Sequence, residues 1–287
     1  VFADACTKAQ KFTRPLISSF KFLDGSCSAG VGTYVIINPD GWFITAGHNF
    51  EGYAAFKVHS GERGQIGAAI SAVNANQSLK PKERRRQLSK FRENPKWIEK
   101  FDIWFGDGVR VSDVKVFPEI DLAVGRVIPT PQGFEPPVIG RPGALRPGTS
   151  LCRLGFPFIP IQCTFDDAVN KFNLGVESGL ELFPNEGIMT REVTAGKTAD
   201  GKFEKLFIET SSAGLRGQSG GPLFDIHGQV WGIQLRTAHL ALGFAPKAKD
   251  SRGNELEAHQ FLNVGWAAHT RLLVDLLNEV AVSFQAA

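Results

Sequence analysis

An all-β fold is what this sequence of 287 residues predicts, on three observations. It holds 31 glycines and 16 prolines, a density of turn residues that suits many short strands better than long helices. Runs rich in β-branched and aromatic residues recur between Gly, Pro, Asn and Asp punctuation. Only two stretches carry a helical pattern. Apolar residues at 43% and charged residues at 21% are ordinary globular usage, which excludes disorder and fibrous repeats. No run approaches the roughly 20 consecutive apolar residues of a membrane helix, so no membrane association is expected.

In chain order, strands are predicted over 31–37, 42–46, 53–58, 109–117, 122–127, 151–154, 206–210, 229–235 and 261–266. The near-alternation of Val109, Val111, Val114 and Val116 slips once between 111 and 114, which predicts a bulge. Asn38-Pro39-Asp40-Gly41 and Asp225-Ile226-His227-Gly228 read as turns joining strand pairs. A helix is predicted over 81–93, where Pro81 suits a first turn and Pro95 forbids continuation; its apolar face is only Leu88 and Phe91. A second helix, over 268–280, aligns Leu272, Leu273, Leu276, Leu277 and Val280 on one face and should dock as a C-terminal lid. Six prolines and four glycines between 129 and 148 suit a connector between two β subdomains.

Net charge is only +3, which makes no case for nucleic acid. The charge is uneven, however: residues 80–101 hold nine basic side chains against Glu83, Glu93 and Glu99. No aromatic interleaves that run before Phe91, so it reads by default as a solvated surface insertion and not as a nucleic-acid arm; an acidic partner is the alternative. Cys6, Cys27, Cys152 and Cys163 form no zinc-type cluster; bridges Cys6–Cys27 or Cys152–Cys163 and free thiols all fit. No metal or cofactor is expected. The chain opens at Val1 without a signal-peptide pattern, which leaves a cytoplasmic or a processed periplasmic or secreted location open.

The strongest chemical signal is Gly217-Gln218-Ser219-Gly220-Gly221-Pro222-Leu223. A serine hydroxyl attacks only when a base takes its proton and donors stabilise the resulting oxyanion. Flanking glycines let the backbone turn sharply and aim N–H groups beside the hydroxyl. An α/β-hydrolase nucleophile elbow would require a helix directly after the serine, but Pro222-Leu223-Phe224, a turn and strand 229–235 follow instead. That alternative fails. Upstream, Thr45-Ala46-Gly47-His48 places a histidine just past a strand end, where it can face a cleft. Glu119-Ile120-Asp121-Leu122-Ala123-Val124 places an acid at the mouth of an apolar strand. A carboxylate there is costly without a donor such as an imidazole N–H.

His48, Asp121 and Ser219 in this order, within TAGH, DLAV and GxSGGPL, resemble the chymotrypsin-fold (trypsin-like) serine proteases, nearest the bacterial Deg-type high-temperature-requirement branch. The resemblance spans about residues 20–270 and implies two perpendicular six-stranded antiparallel β-barrels flanking the active site. It implies an N-terminal extension (1–19), a first barrel (20–128) with a basic, partly helical insertion (about 70–106), the connector (129–148), a second barrel (149–266) and a C-terminal helix (267–287). Ser219 is then the nucleophile that forms a covalent acyl-enzyme on a peptide substrate, His48 the base and Asp121 its orienting acid. The N–H groups of Gly217 and Ser219 are the implied oxyanion hole. The specificity pocket would have its base at Ala213 and a wall at Gln234, Leu235, Arg236 and Thr237. No acid stands there to select Arg or Lys, so small or medium apolar side chains are expected; Arg216 and Arg236 lie close enough in sequence to attract an acidic one.

One departure matters. Mature trypsins seat a new N-terminus against an acid just before the nucleophile; Gln218, uncharged, cannot pair with an ammonium, so that route of activation is not expected. No peptide-binding PDZ module like that of many Deg proteases is expected within this chain. A catalytically silent peptide-binding module of the same fold is the alternative function.

Overall fold

A computed structural model describes the chain except residues 177–178, 245–246, 250, 253–254 and 258–259. The architecture is mostly β. A short helix α1 (Ala3–Gln10) leads into β1 (Thr13–Phe22), β2 (Cys27–Ile36) and β3 (Trp42–Ala46). Helices α2 (Glu51–Ala75) and α3 (Pro81–Leu88) intervene before β4 (Ile98–Trp104), β5 (Arg110–Phe117) and β6 (Leu122–Ile128). These six strands make one antiparallel sheet in the order β4-β1-β2-β3-β6-β5.

The second half comprises β7 (Val138–Ile139), β8 (Ser150–Gly155), β9 (Ile161–Asp166), β10 (Lys171–Val176), β11 (Phe183–Lys197), β12 (Glu204–Thr210), β13 (Pro222–Phe224) and β14 (Val230–Ala241). A small hairpin, β15 (Lys247–Lys249) with β16 (Glu255–Glu257), precedes β17 (Phe261–His269), α4 (Thr270–Glu279) and β18 (Gln285–Ala286). The main sheet here has eight strands, in the order β13-β8-β11-β12-β17-β14-β7-β18, and β13 also pairs with β14. Strand β13 therefore meets both β8 and β14, which curls the sheet back on itself. Within 149–266 this sheet holds six antiparallel strands; β7 from the Pro-rich connector and β18 extend it, with β7 running parallel to β14 and β18.

The bulge in β5 falls between Ser112 and Lys115, where the register slips and Asp113 takes φ +54°. Both expected turns close, with Gly41 N–H on the Asn38 carbonyl and Gly228 N–H on that of Asp225. The first sheet, however, starts at Thr13, inside the expected N-terminal extension. Pro15 hid this strand, and the strand tolerates it because only β2 pairs at that level; the β4 pairing begins at Ile17. The expected strand 53–58 is helix. Tyr53 and Phe56 pack on Phe101 and His59 on Trp97, a three-residue spacing that lines one helical face. The expected insertion 70–106 is likewise displaced, since β4 belongs to the sheet and the helical excursion runs over 51–97. All four cysteines are free, and the neighbours are Cys6 with Cys152 and Cys27 with Cys163, neither of them an expected pair.

One apolar core spans both sheets. Val35, Ile44, Leu122 and Val124 of the first share it with Leu154, Ile233 and Leu235 of the second. Helix α4 closes it with Leu272, Leu273, Leu276 and Leu277, all at 1% exposure or less, as its one-sided leucine pattern requires. By contrast α2 buries no residue. Among the described residues no helix is long and apolar enough to cross a membrane.

Candidate active site

Strands β3 and β6 pair with Ala46 opposite Leu122, so residues just beyond those ends must lie side by side. His48 sits there in a 3-10 turn, Gly47–Phe50. Asp121 sits opposite, at left-handed φ +52° after the turn Pro118–Ile120. The Asp121 carboxylate accepts the His48 backbone N–H at 2.9 Å and lies 3.0 and 3.1 Å from Nδ1. That hydrogen bond, chiefly, raises the imidazole above its ordinary pKa; burial opposes the shift, and the charges of Asp121 and Glu51 add to it.

Ser219 comes from the other sheet, on the loop before β13, and the loop is clamped by the first sheet. Thr33 donates its backbone N–H to the Ser219 carbonyl (2.9 Å) and its hydroxyl to the Gly217 carbonyl (2.7 Å). Asn49 Nδ2 also reaches the Ser219 carbonyl, at 3.3 Å. At Gly220, φ is +87° and a Cβ would lie 2.0 Å from the Thr33 carbonyl oxygen, so this close approach admits only glycine. Gln218 is buried, with its carboxamide between the Leu215 N–H and the Phe183 carbonyl. Among the described residues, the N–H groups of Gly217 and Ser219 donate to no protein acceptor.

His48 and Ser219 line one cavity of about 240 Å³, together with Ser18, Gly32, Asn49 and Gly217. The Ser219 hydroxyl does not point at the imidazole; it donates to the Leu235 carbonyl at 3.2 Å. A second cavity of about 240 Å³ opens on the other side of Ser219, walled by Gly214, Arg216 and Gln234, Leu235, Arg236 and Thr237. The expected wall residues are thus together. Ala213, the expected base, does not line it: its carbonyl is taken by Arg153 Nη1 and Asn185 Nδ2.

The sequence analysis missed Thr33, Asn49 and Arg153. The first two look like ordinary strand and turn residues, and only the sheet-to-sheet contact gives them a task. Arg153 did leave a signal, a charge inside the apolar run Leu151-Cys152-Arg153-Leu154, where an unsupported cation is costly. Among the described residues, no group of three or more His, Cys, Asp or Glu could hold a metal ion.

The trypsin-like peptidase domain family matches residues 32–233, a span from β2 to β14 that includes His48, Asp121 and Ser219. The chain belongs to that family. This trypsin-like peptidase domain is similar in fold to the HtrA-type protease AlgW with tripeptide, at 18% identity and TM-score 0.50, over 98% of this chain and 63% of AlgW. It is also similar to the active form of the Rv3671c protease from M. tuberculosis, at 13% identity and TM-score 0.51, over 99% of this chain and 86% of that one. The trypsin-like peptidase domain thus spans less than two thirds of the AlgW chain, and at these identities the likeness concerns the fold. No curated protein matches the sequence.

Proposed function

We propose that the chain is a serine endopeptidase in which Ser219, His48 and Asp121 act as a catalytic triad. The observation that carries this reading is the double grip of Asp121, by backbone and ring, on a His48 that lines one cavity with Ser219. Asp121 holds Nδ1 protonated and leaves Nε2 as the free base. Ser219 Oγ bonds to the scissile carbonyl carbon while Nε2 takes its proton; Nε2 then returns that proton to the leaving amine, and an acyl-enzyme remains. Water repeats the sequence and frees the acid. The unengaged N–H groups of Gly217 and Ser219 stabilise the oxyanion, and the carbonyl clamps from Thr33 hold that loop in place.

In this reading the two sheets are the perpendicular six-stranded barrels of the fold, with β7 and β18 as additions to the second. Buried, uncharged Gln218 fits a peptidase that needs no inserted N-terminus. AlgW carries a tripeptide, and a peptide substrate is what we propose for the groove here. Helix α3, exposed at Lys82, Arg85 and Arg86, would be the contact for an acidic partner.

A fluorophosphonate probe tests the reading. It should attach to Ser219, and Asp121→Asn should suppress the attachment. A folded chain that neither reacts with the probe nor cleaves any denatured protein would be the silent binding module instead.

A further inference from the structure

We propose that the cavity beside Ser219 selects an acidic side chain, Glu or Asp, in the residue immediately before the scissile bond. This rests on the peptidase reading above and names its substrate class. The determinant is Arg153. It sits in the middle of β8 at 1% exposure, the bulkiest fully buried side chain of the described chain. Its guanidinium donates from Nε to Gln234 Oε1 (2.7 Å), from Nη1 to Ser212 Oγ (2.7 Å) and the Ala213 carbonyl (3.2 Å), and from Nη2 to Thr210 Oγ1. Every acceptor is neutral. Among the described residues no carboxylate pairs with Arg153, a rare state for a buried cation. Glu209, beside Thr210 in sequence, is already engaged by Arg191, Thr190 and Trp266, and strand alternation points it to the other face.

The position of that charge ties it to the cavity. Gly265 is paired with Thr210 on one side and with Thr237, a wall residue, on the other. A Cβ on Gly265 would lie 2.4 Å from Arg153 Nη2, so the guanidinium fills the room that a side chain of β17 would have taken at this level of the wall. Gln234 transmits the charge. With Oε1 held by Arg153, its Nε2 faces Gly214, also a wall residue, and gives one N–H to the Arg236 carbonyl at 3.0 Å. Among the described residues the other N–H has no acceptor and is left for a ligand. An acidic side chain entering here meets an amide polarised by the buried cation behind it. Arg216 lines the mouth, and the Arg236 guanidinium lies 4.8 Å from the Trp266 ring centroid. Among the described residues no acidic one lines the cavity. A small apolar side chain, the sequence-based expectation, would leave the buried charge unneutralised.

The test is a set of fluorogenic peptides identical except for Glu, Gln, Ala, Leu or Lys before the cut, with fluorophosphonate labelling run in parallel. The unaltered chain should prefer Glu over its neutral isostere Gln by about 100-fold in kcat/KM, since the pocket's polar groups are satisfied only by the charged ligand. Arg153→Met should bring that ratio close to one while Ser219 still labels, and Arg153→Lys should restore part of it. Should Arg153→Met fail to fold, the Glu-to-Gln ratio of the unaltered chain decides alone. A chain that labels normally but cleaves after Ala or Leu as well as after Glu overturns acidic selection and leaves the peptidase reading intact. Absence of both labelling and cleavage overturns the two together.

Discussion

The Thr33 hydroxyl holds the Gly217 carbonyl at 2.7 Å across the cleft, so the first sheet fixes the loop of the second that carries Ser219. Thr33 is fully buried, and without its hydroxyl the Gly217 carbonyl retains, among the described residues, only the Phe156 N–H at 3.2 Å. Thr33→Val keeps the side-chain shape and removes this donor. We expect kcat to fall about tenfold with KM nearly unchanged, because a looser oxyanion loop weakens transition-state binding more than substrate binding. Steady-state kinetics on one peptide checks this, and an effect confined to KM would contradict it.

Ser219→Ala should leave the thermal unfolding midpoint within a few degrees of the parent and reduce peptide hydrolysis by roughly 10⁴-fold or more. The lost hydroxyl forfeits one neutral hydrogen bond to Leu235, so stability changes little. Retained turnover within about tenfold would place the nucleophile elsewhere.

The pH profile should have its acid limb above the ordinary histidine value. A raised His48 pKa means the ring keeps its proton to higher pH, so the neutral, base-competent form appears later as pH rises. Asp121→Asn removes the main cause of that shift and the orienting acceptor together. It should move the limb down and lower kcat by about 10⁴-fold. A pH–rate profile of kcat/KM for both proteins reads the sign; an unmoved limb argues against His48 as the base.

The helical excursion should be removable. Arg63 and Glu93 form an ion pair at 3.1 Å, so the chain crosses itself there and a few residues can close the gap. Replacing 64–92 by a short Gly/Ser bridge keeps Tyr53, Phe56 and His59 on Phe101 and Trp97. Turnover of a small peptide should persist, whereas binding of poly-glutamate at low salt should be lost. Loss of small-peptide turnover would show that the excursion supports the catalytic sheet.

Those elements also show what could be read from the residues alone. The motifs around His48, Asp121 and Ser219 were legible because each carries its chemistry locally, and the strands beside them alternate cleanly with turns. Residues 53–58 read as strand because aromatics favour strands on propensity; only Phe101 and Trp97, some forty residues on, reveal the helical face of Tyr53, Phe56 and His59. Pro15 masked β1 for a related reason, since its tolerance depends on which neighbour pairs at that level. Arg153 was visible as an oddity but not as a pocket element, because its partners come from four separate segments.

On the peptidase reading, the hydrogen bond from Ser219 to Leu235 gives the proposed nucleophile a small equilibrium of its own. At about 1 kcal/mol for a neutral hydrogen bond, only about one molecule in six carries the hydroxyl free of that carbonyl. A peptide whose own N–H competes for the Leu235 carbonyl would weaken this hydrogen bond and favour the free hydroxyl, so docking would promote arming. Ligands that touch only the serine meet the mostly disarmed population. On that reading, extended chains would then be favoured over small electrophiles by about that sixfold factor, which slows a fluorophosphonate without preventing its attachment.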